Sequence, residues 1–384
     1  MTKTQIPFAK PFFTQESLKE INAKIEEILR TGWLTSGAVV KEFEKIFADF
    51  IGTKYAVALN SCTAALHTIL LGLGIKNEDE VIIPSNTFVA TANAVLYVGA
   101  KPVFADSDLE TFNISTEDIQ RKISNKTKAI LLVHLAGNPC DMKEIWQFAE
   151  DHNLLVIEDC AHAHGAKYKG KNCGTLGEAA GFSFYPTKII TTAEGGMVTT
   201  DNEALAEKVK IMRNHGRAAY GPAQIVELGF NYRLSEIHAA IGLSQIKHIR
   251  EFIRQRNRLA SIYNQRLTKI PWLKPQHVEE GNECSYYAYI VRLTDQAPLN
   301  RDALVAHLKK IGIETSILYH PVHLQPFYVR QFGCKEGDLP VAEELGKNSL
   351  ALPLYNGMQV KDAIKVAEAI EEIEKSNIRE EDKA

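Results

Sequence analysis

Between Lys54 and Ile157, short β-branched runs alternate with polar turns and helical stretches, a pattern that few architectures satisfy. The runs are Tyr55-Ala56-Val57-Ala58-Leu59, Val81-Ile82-Ile83, Pro102-Val103-Phe104-Ala105, Ala129-Ile130-Leu131-Leu132-Val133 and Leu154-Leu155-Val156-Ile157. Strands that are apolar without interruption need cover on both faces, so the pattern predicts an α/β fold with a mainly parallel sheet flanked by helices. Ligands in such sheets bind beyond the carboxyl ends of the strands, and the residues there are the ones to read for chemistry.

Around this unit the spacing of apolar residues predicts helices over Glu16 to Arg30, Val39 to Phe50 and Asp201 to Asn214, and one long helix from Ser235 to about Leu267. Beyond Pro271 a smaller α+β unit is expected. Its strands fall at Tyr286 to Leu293 and Gly312 to Leu318, its helices at Arg301 to Lys310, Val341 to Lys347 and Val360 to Glu374, and a charged, disordered tail starts at Arg379. With 384 residues the chain is long enough for two domains, expected at 1–248 and 249–384. A net charge of −3, with no basic run, offers no field for a nucleic acid. No apolar stretch reaches membrane-spanning length and no signal core opens the chain, so a cytoplasmic location is expected. Cys62, Cys140, Cys160, Cys173, Cys284 and Cys334 lack CxxC spacing and read as free thiols, not as a zinc cage or disulfide framework.

Each strand end carries a candidate with a plainer alternative. Ser61, Cys62 and Thr63 open a helix whose free N–H groups suit an anion such as phosphate, although a simple N-cap uses the same residues. Phe88 follows the second run and is either a stacking face for a planar ligand or core packing. The fifth run delivers Asp159, His162 and His164. A carboxylate at the end of a buried strand needs a cation or donors, and a protonated pyridine nitrogen would serve Asp159. The rival partner is a metal bound by Asp159, His162 and His164, against which no second dense Asp/His group is found.

Gly181-Phe182-Ser183-Phe184-Tyr185-Pro186-Thr187-Lys188 reads as an apolar strand ended by Pro186 and followed by a loop that presents Lys188. Gly195-Gly196 then permits a close backbone approach before the next strand. An amine held there among Phe184, Tyr185 and Ile189 is placed to form a Schiff base, whereas Lys167, Lys169 and Lys171 lie in a hydrophilic turn. A phosphate cradle, a stacking face, a buried acid and such a lysine together make the set that holds pyridoxal 5'-phosphate.

Asp159 to Gly165, Phe182 to Lys188, Glu194 to Val198, and Gly229-Phe230-Asn231-Tyr232-Arg233 resemble, in order, the motifs of the DegT/DnrJ/EryC1/StrS family of sugar aminotransferases. The likeness runs from Gly32 to Leu354. It implies the fold-type I architecture with a seven-stranded sheet, and a homodimer with shared active sites. It implies an internal aldimine on Lys188, with Asp159 at the pyridine nitrogen and His162 near the ring hydroxyl. Phe88 would be the stacking face, Ser61, Cys62, Thr63 and Ser183 would hold the phosphate, and Asn231 would reach the partner's phosphate. Tyr185, Arg233, His320 and His323 would meet the substrate. Position 162 is commonly glutamine in that family, so histidine here either keeps the hydrogen bond or adds a proton-transfer group. The implied activity moves an amino group, from glutamate, to a UDP-, dTDP- or GDP-linked keto-sugar. A non-catalytic binder of the cofactor or sugar, and a metal hydrolase, are the alternatives.

Overall fold

The computed structural model of the protein describes residues 5–218 and 224–381, side chains being described as far as 375. Residues 1–4, 219–223 and 382–384, Gly221-Pro222 among them, lie outside these ranges. Two amphipathic helices, α1 (Gln15–Thr31) and α2 (Ala38–Ile51), precede the alternating units. There follow β1 (Tyr55–Leu59), α3 (Cys62–Gly72), β2 (Glu80–Pro84), α4 (Val89–Tyr97), β3 (Lys101–Ala105), α5 (Thr116–Lys122), β4 (Thr127–Val133), α6 (Met142–His152) and β5 (Leu155–Asp159). A hairpin of β6 (Lys167–Tyr168) and β7 (Lys171–Asn172) leads to β8 (Ala179–Ser183), β9 (Gly196–Thr200) and α7 (Glu203–Met212).

The sheet has seven strands in the order β1-β9-β8-β5-β4-β2-β3. Strand β9 is antiparallel to both of its neighbours, and the remaining pairs are parallel. Side chains alternate across a strand, and each apolar run feeds two cores. Ala56, Ala58, Ile82, Ile130 and Leu132 pack toward α2 and α6. Val57, Leu59, Val81, Ile83, Ala129 and Leu131 pack toward α3, α4 and α7. This two-sided burial is why the runs carry no polar alternation.

The expected long helix from Ser235 is two helices, α8 (Glu236–Ile246) and α9 (Ile249–Leu267). His248 turns out of the helix, with Nε2 3.1 Å from Ser17 Oγ. The break lets α8 remain buried against α1 and α2, while α9 runs from Ile249 and Phe252 in the first core to Tyr263 and Leu267 in a third. Apolar spacing continues through the break, so periodicity alone does not reveal it.

The C-terminal part holds β10 (Leu273–Pro275), β11 (Tyr289–Leu293), α10 (Arg301–Lys310), α11 (Pro326–Phe332), α12 (Pro340–Asn348), β12 (Ser349–Leu352) and α13 (Val360–Glu381). Its antiparallel sheet runs β10-β11-β12. The strand expected over Gly312 to Leu318 makes only single bridges, Ile313 to Ile6 and Ser316 to Ala351, and β12 takes the place beside β11. Helix α13 extends to Glu381, past the expected end at Glu374 and into the tail from Arg379. No described helix is long and apolar enough to cross a membrane.

One buried carboxylate joins α2 to α8. Glu236 accepts hydrogen bonds from the N–H groups of Gly37 (2.8 Å), Val39 (3.0 Å) and Val40 (3.1 Å), the unpaired donors at the start of α2. Glu236→Ala should lower stability by about 2–4 kcal/mol, because those donors stay buried without an acceptor. Urea unfolding checks this, and Glu236→Gln, which keeps one acceptor oxygen, should recover part of the loss.

Candidate active site

The carboxyl ends of β1, β2, β4, β5 and β8 converge on one side of the sheet, as the parallel order requires. At β1, Ser61 caps α3 by accepting from the Ala64 N–H at 3.1 Å. The antiparallel β9 starts so close that a Cβ on Gly196 would collide with the Ser61 carbonyl and the Cys62 nitrogen. Only glycine permits that approach, which is the role expected of Gly195-Gly196. Ser61 and Thr63 line an open cleft of about 700 Å³ with His67, Glu194 and Tyr232. Cys62 points elsewhere: its Sγ lies 4.0 Å from Asp159 Oδ1, and burial, then the Asp159 charge, push the thiol well above its ordinary pKa. It is a neutral donor to the acid.

Asp159, the last residue of β5, is 5% exposed. Its Oδ1 accepts from the Ala161 N–H at 3.0 Å, and its Oδ2 from Thr91 Oγ1 at 2.8 Å. Thr91 in turn lies 2.8 Å from Thr87 Oγ1. Burial raises the Asp159 pKa, and these hydrogen bonds and the Lys188 charge offset only part of that rise. The site therefore contains a carboxylate that a further cation or donor would stabilise. Thr91 was not anticipated. It lies in the first turn of α4, behind Phe88, where a threonine ordinarily signals nothing beyond helix structure.

Lys188 sits in the turn after β8, its N–H bonded to the Tyr185 carbonyl at 2.9 Å. Its Nζ lies over the Tyr287 ring, 4.3 Å from the centroid. The Lys188 charge is felt at Asp159, Cys62, His162 and His164. Lys167, by contrast, pairs with Glu283 at 3.0 Å, and the hairpin's Lys169 and Lys171 lie over the rings of Tyr168 and of Trp146 in α6.

Burial, helped by the Lys188 charge, pushes the His162 pKa well below its ordinary value, so the ring is neutral. Nδ1 accepts from the Ala136 N–H at 3.3 Å, which leaves the proton on Nε2 to be donated to Tyr319 Oη at 3.1 Å. Both nitrogens are thus engaged, and the geometry gives this histidine a hydrogen-bonding role. His164 packs among Phe47, Phe182 and Phe184, and burial pushes it down to about 3. The proposed ligand set Asp159, His162 and His164 does not converge. Among the described residues the atoms that do are those of His134, Glu158 and Cys160. Glu158 there takes His134 Nε2 at 3.0 Å and the N–H groups of Gly174, Leu176 and Gly177, a network satisfied by its own members.

Ser183 is buried at the end of β8, while Tyr185 and Phe88 are exposed. Phe88, Tyr319 and His320 line a groove of about 620 Å³, with the Phe88 and Tyr319 ring centroids 5.8 Å apart. Arg233 is tied to Asn214 Oδ1 at 3.0 Å. Asn231 is exposed beside Asn60, which donates to its carbonyl at 3.2 Å. His323 is placed differently from the expectation. It is fully buried between Ser85 Oγ (2.6 Å) and Glu343 Oε1 (3.1 Å), so it fastens two segments and does not face the groove. A flat, anionic ring with a basic nitrogen and a carbonyl carbon would meet a helix start, an aromatic face, a carboxylate lacking a cation and a primary amine.

The sequence matches the model of the DegT/DnrJ/EryC1/StrS aminotransferase family over residues 15–371. It is 42% identical over 350 residues to a GDP-perosamine synthase of Caulobacter vibrioides, covering 90% of this chain and 93% of that one. Helicobacter pylori PseC, an aminotransferase in pseudoaminic acid biosynthesis, superposes with a TM-score of 0.91 at 29% identity, covering 97% of this chain and all of that one. A Streptococcus pneumoniae protein solved in a PLP form superposes at 0.89 and 29%, covering 97% of this chain and 99% of that one.

The Asp159 environment generates a test that needs no activity. Because the folded-state pKa is raised, the folded chain holds this proton to higher pH than the unfolded one, and the destabilisation is absent below the unfolded value and complete above the folded value. Without cofactor, Asp159→Asn should therefore unfold at a higher temperature than the parent at about pH 7 and at nearly the same temperature at about pH 3. Calorimetry at the two pH values checks the sign.

Proposed function

The chain belongs to the DegT/DnrJ/EryC1/StrS aminotransferase family, whose cofactor is pyridoxal 5'-phosphate, and from that premise we propose that it moves an amino group from glutamate to a nucleotide-linked keto-sugar. The observation that carries the reading is the buried Asp159 at the end of β5, its pKa raised by burial and only partly offset by its hydrogen bonds and the Lys188 charge. When bound, the cofactor supplies an electron sink that draws charge from the carbon being deprotonated.

In this reading Lys188 Nζ would hold the cofactor and, once free, would take the proton from the donor's Cα. Asp159 keeps the pyridine nitrogen protonated, and Thr91 and Cys62 hold that carboxylate in place. Ser61, Thr63 and Ser183, with the first N–H groups of α3, take the phosphate. Phe88 covers one ring face, and His162, oriented by Ala136 and Tyr319, stands near the ring hydroxyl. The exposed Tyr185 and His320, with Arg233, meet the sugar nucleotide. The exposed Asn231 side chain completes the phosphate site of a second copy in a homodimer. A GDP-linked substrate is the first choice, because the Caulobacter relative is a GDP-perosamine synthase.

Incubation with glutamate and UDP-, dTDP- or GDP-linked keto-sugars, read by mass spectrometry, should give one amino-sugar product, and Lys188→Ala should give none. No product from any of them, or product from Lys188→Ala, would contradict the proposal. Asn231→Ala should weaken cofactor retention while far-ultraviolet circular dichroism stays unchanged, and sedimentation should show a dimer.

A further inference from the structure

Tyr287 meets the Lys188 turn through both its ring and its hydroxyl. Its ring is 7% exposed. His162 stacks on it with centroids 4.1 Å apart and planes at 17°, and a ring that close leaves no room for a second group, so Lys188 Nζ takes the opposite face. The Tyr287 hydroxyl lies 3.1 Å from Thr187 Oγ1, beside Lys188 in the chain. The Tyr287 carbonyl accepts from Arg256 at 3.0 Å. Arg256 also donates to Asn356 Oδ1 at 2.7 Å, and Asn356 donates to the Ile189 carbonyl, on the other side of Lys188, at 2.7 Å. Arg256 is a buried cation among these neutral acceptors, and burial pushes it down to about 10. One rigid frame thus fixes both the ring and the turn whose amine rests on it.

We propose that Tyr287 is a positioning residue for Lys188, its ring face holding the amine once the lysine has been released and stabilising the ammonium formed as Nζ takes the α-proton. This rests on the reading of Lys188 given above. In that step an N–H bond forms at Nζ while the donor's Cα–H bond breaks, and the electron pair of the broken bond passes into the bound cofactor. Nζ gains a positive charge. In a dry pocket the negative face of an aromatic ring is a favourable neighbour for that charge. Lys188 later gives the proton up, and the same contact keeps the amine from straying between the two transfers.

Fluorination withdraws charge from a ring face with little change of shape, so it separates this role from packing. In the full-length enzyme, Tyr287→pentafluorophenylalanine should have a kcat about tenfold or more below that of Tyr287→Phe, two variants that both lack the hydroxyl and differ only in the charge on the ring face. The KM for glutamate should hardly move, and the kinetic isotope effect of α-deuterated glutamate should grow. In cofactor-free protein, acylation of Lys188, mapped by mass spectrometry, should be faster in the pentafluoro variant than in Tyr287→Phe, since the protonated amine has lost its favoured face. Equal kcat, isotope effect and acylation rate across the two variants would overturn the role of Tyr287. A product formed by Lys188→Ala would instead overturn the assignment of Lys188, so the two failures are told apart.

Discussion

The buried carboxylate of Asp159 is the constraint on which the site depends. A strand end in a parallel sheet is closed off by neighbouring strands and helices, and an acid placed there loses its water. Ala161, Thr91 and Cys62 offset that loss in part, but burial still raises the pKa. The fold therefore maintains a carboxylate whose best partner is a cation that the chain supplies only at a distance, through Lys188. In the proposed function a ligand with a protonated ring nitrogen would relieve this on binding.

The rest of the architecture brings groups to that acid. Reversal of β9 within the sheet carries the chain from the Lys188 turn back against the start of α3, and Gly196 makes the approach possible. The start of α3, proposed to take the phosphate, and the Lys188 turn are thereby linked through one glycine. From the C-terminal part, Tyr287 and Tyr319 place aromatic surfaces on Lys188 and His162, and Arg256 with Asn356 fastens the segments that hold them. Any movement of the C-terminal part relative to the sheet would disturb Lys188 and His162 together.

What could be read from residues alone followed from local chemistry. The strand runs were legible because two-sided burial leaves uninterrupted β-branched segments, and Lys188, Asp159, Phe88 and Ser61 stand out as candidates because they fall at strand ends. The break at His248 was not, since apolar spacing persists across it. Gly312 to Leu318 has strand-like composition, but it forms only isolated bridges, to Ile6 and Ala351, a tertiary outcome that overrides propensity. His323 looked available in a polar loop, yet Ser85 and Glu343 draw it inside. Thr91 and Tyr287 matter only through partners distant in sequence, and nothing local marks them.

The proposed function requires that Lys188, and no other lysine, carry the cofactor. Treating the purified protein with borohydride, digesting it and sequencing the labelled peptide tests this most directly. The reduced pyridoxyl group should be recovered on Lys188 alone, with Lys167, Lys169 and Lys171 unlabelled. Recovery of the group on any other lysine would contradict the account.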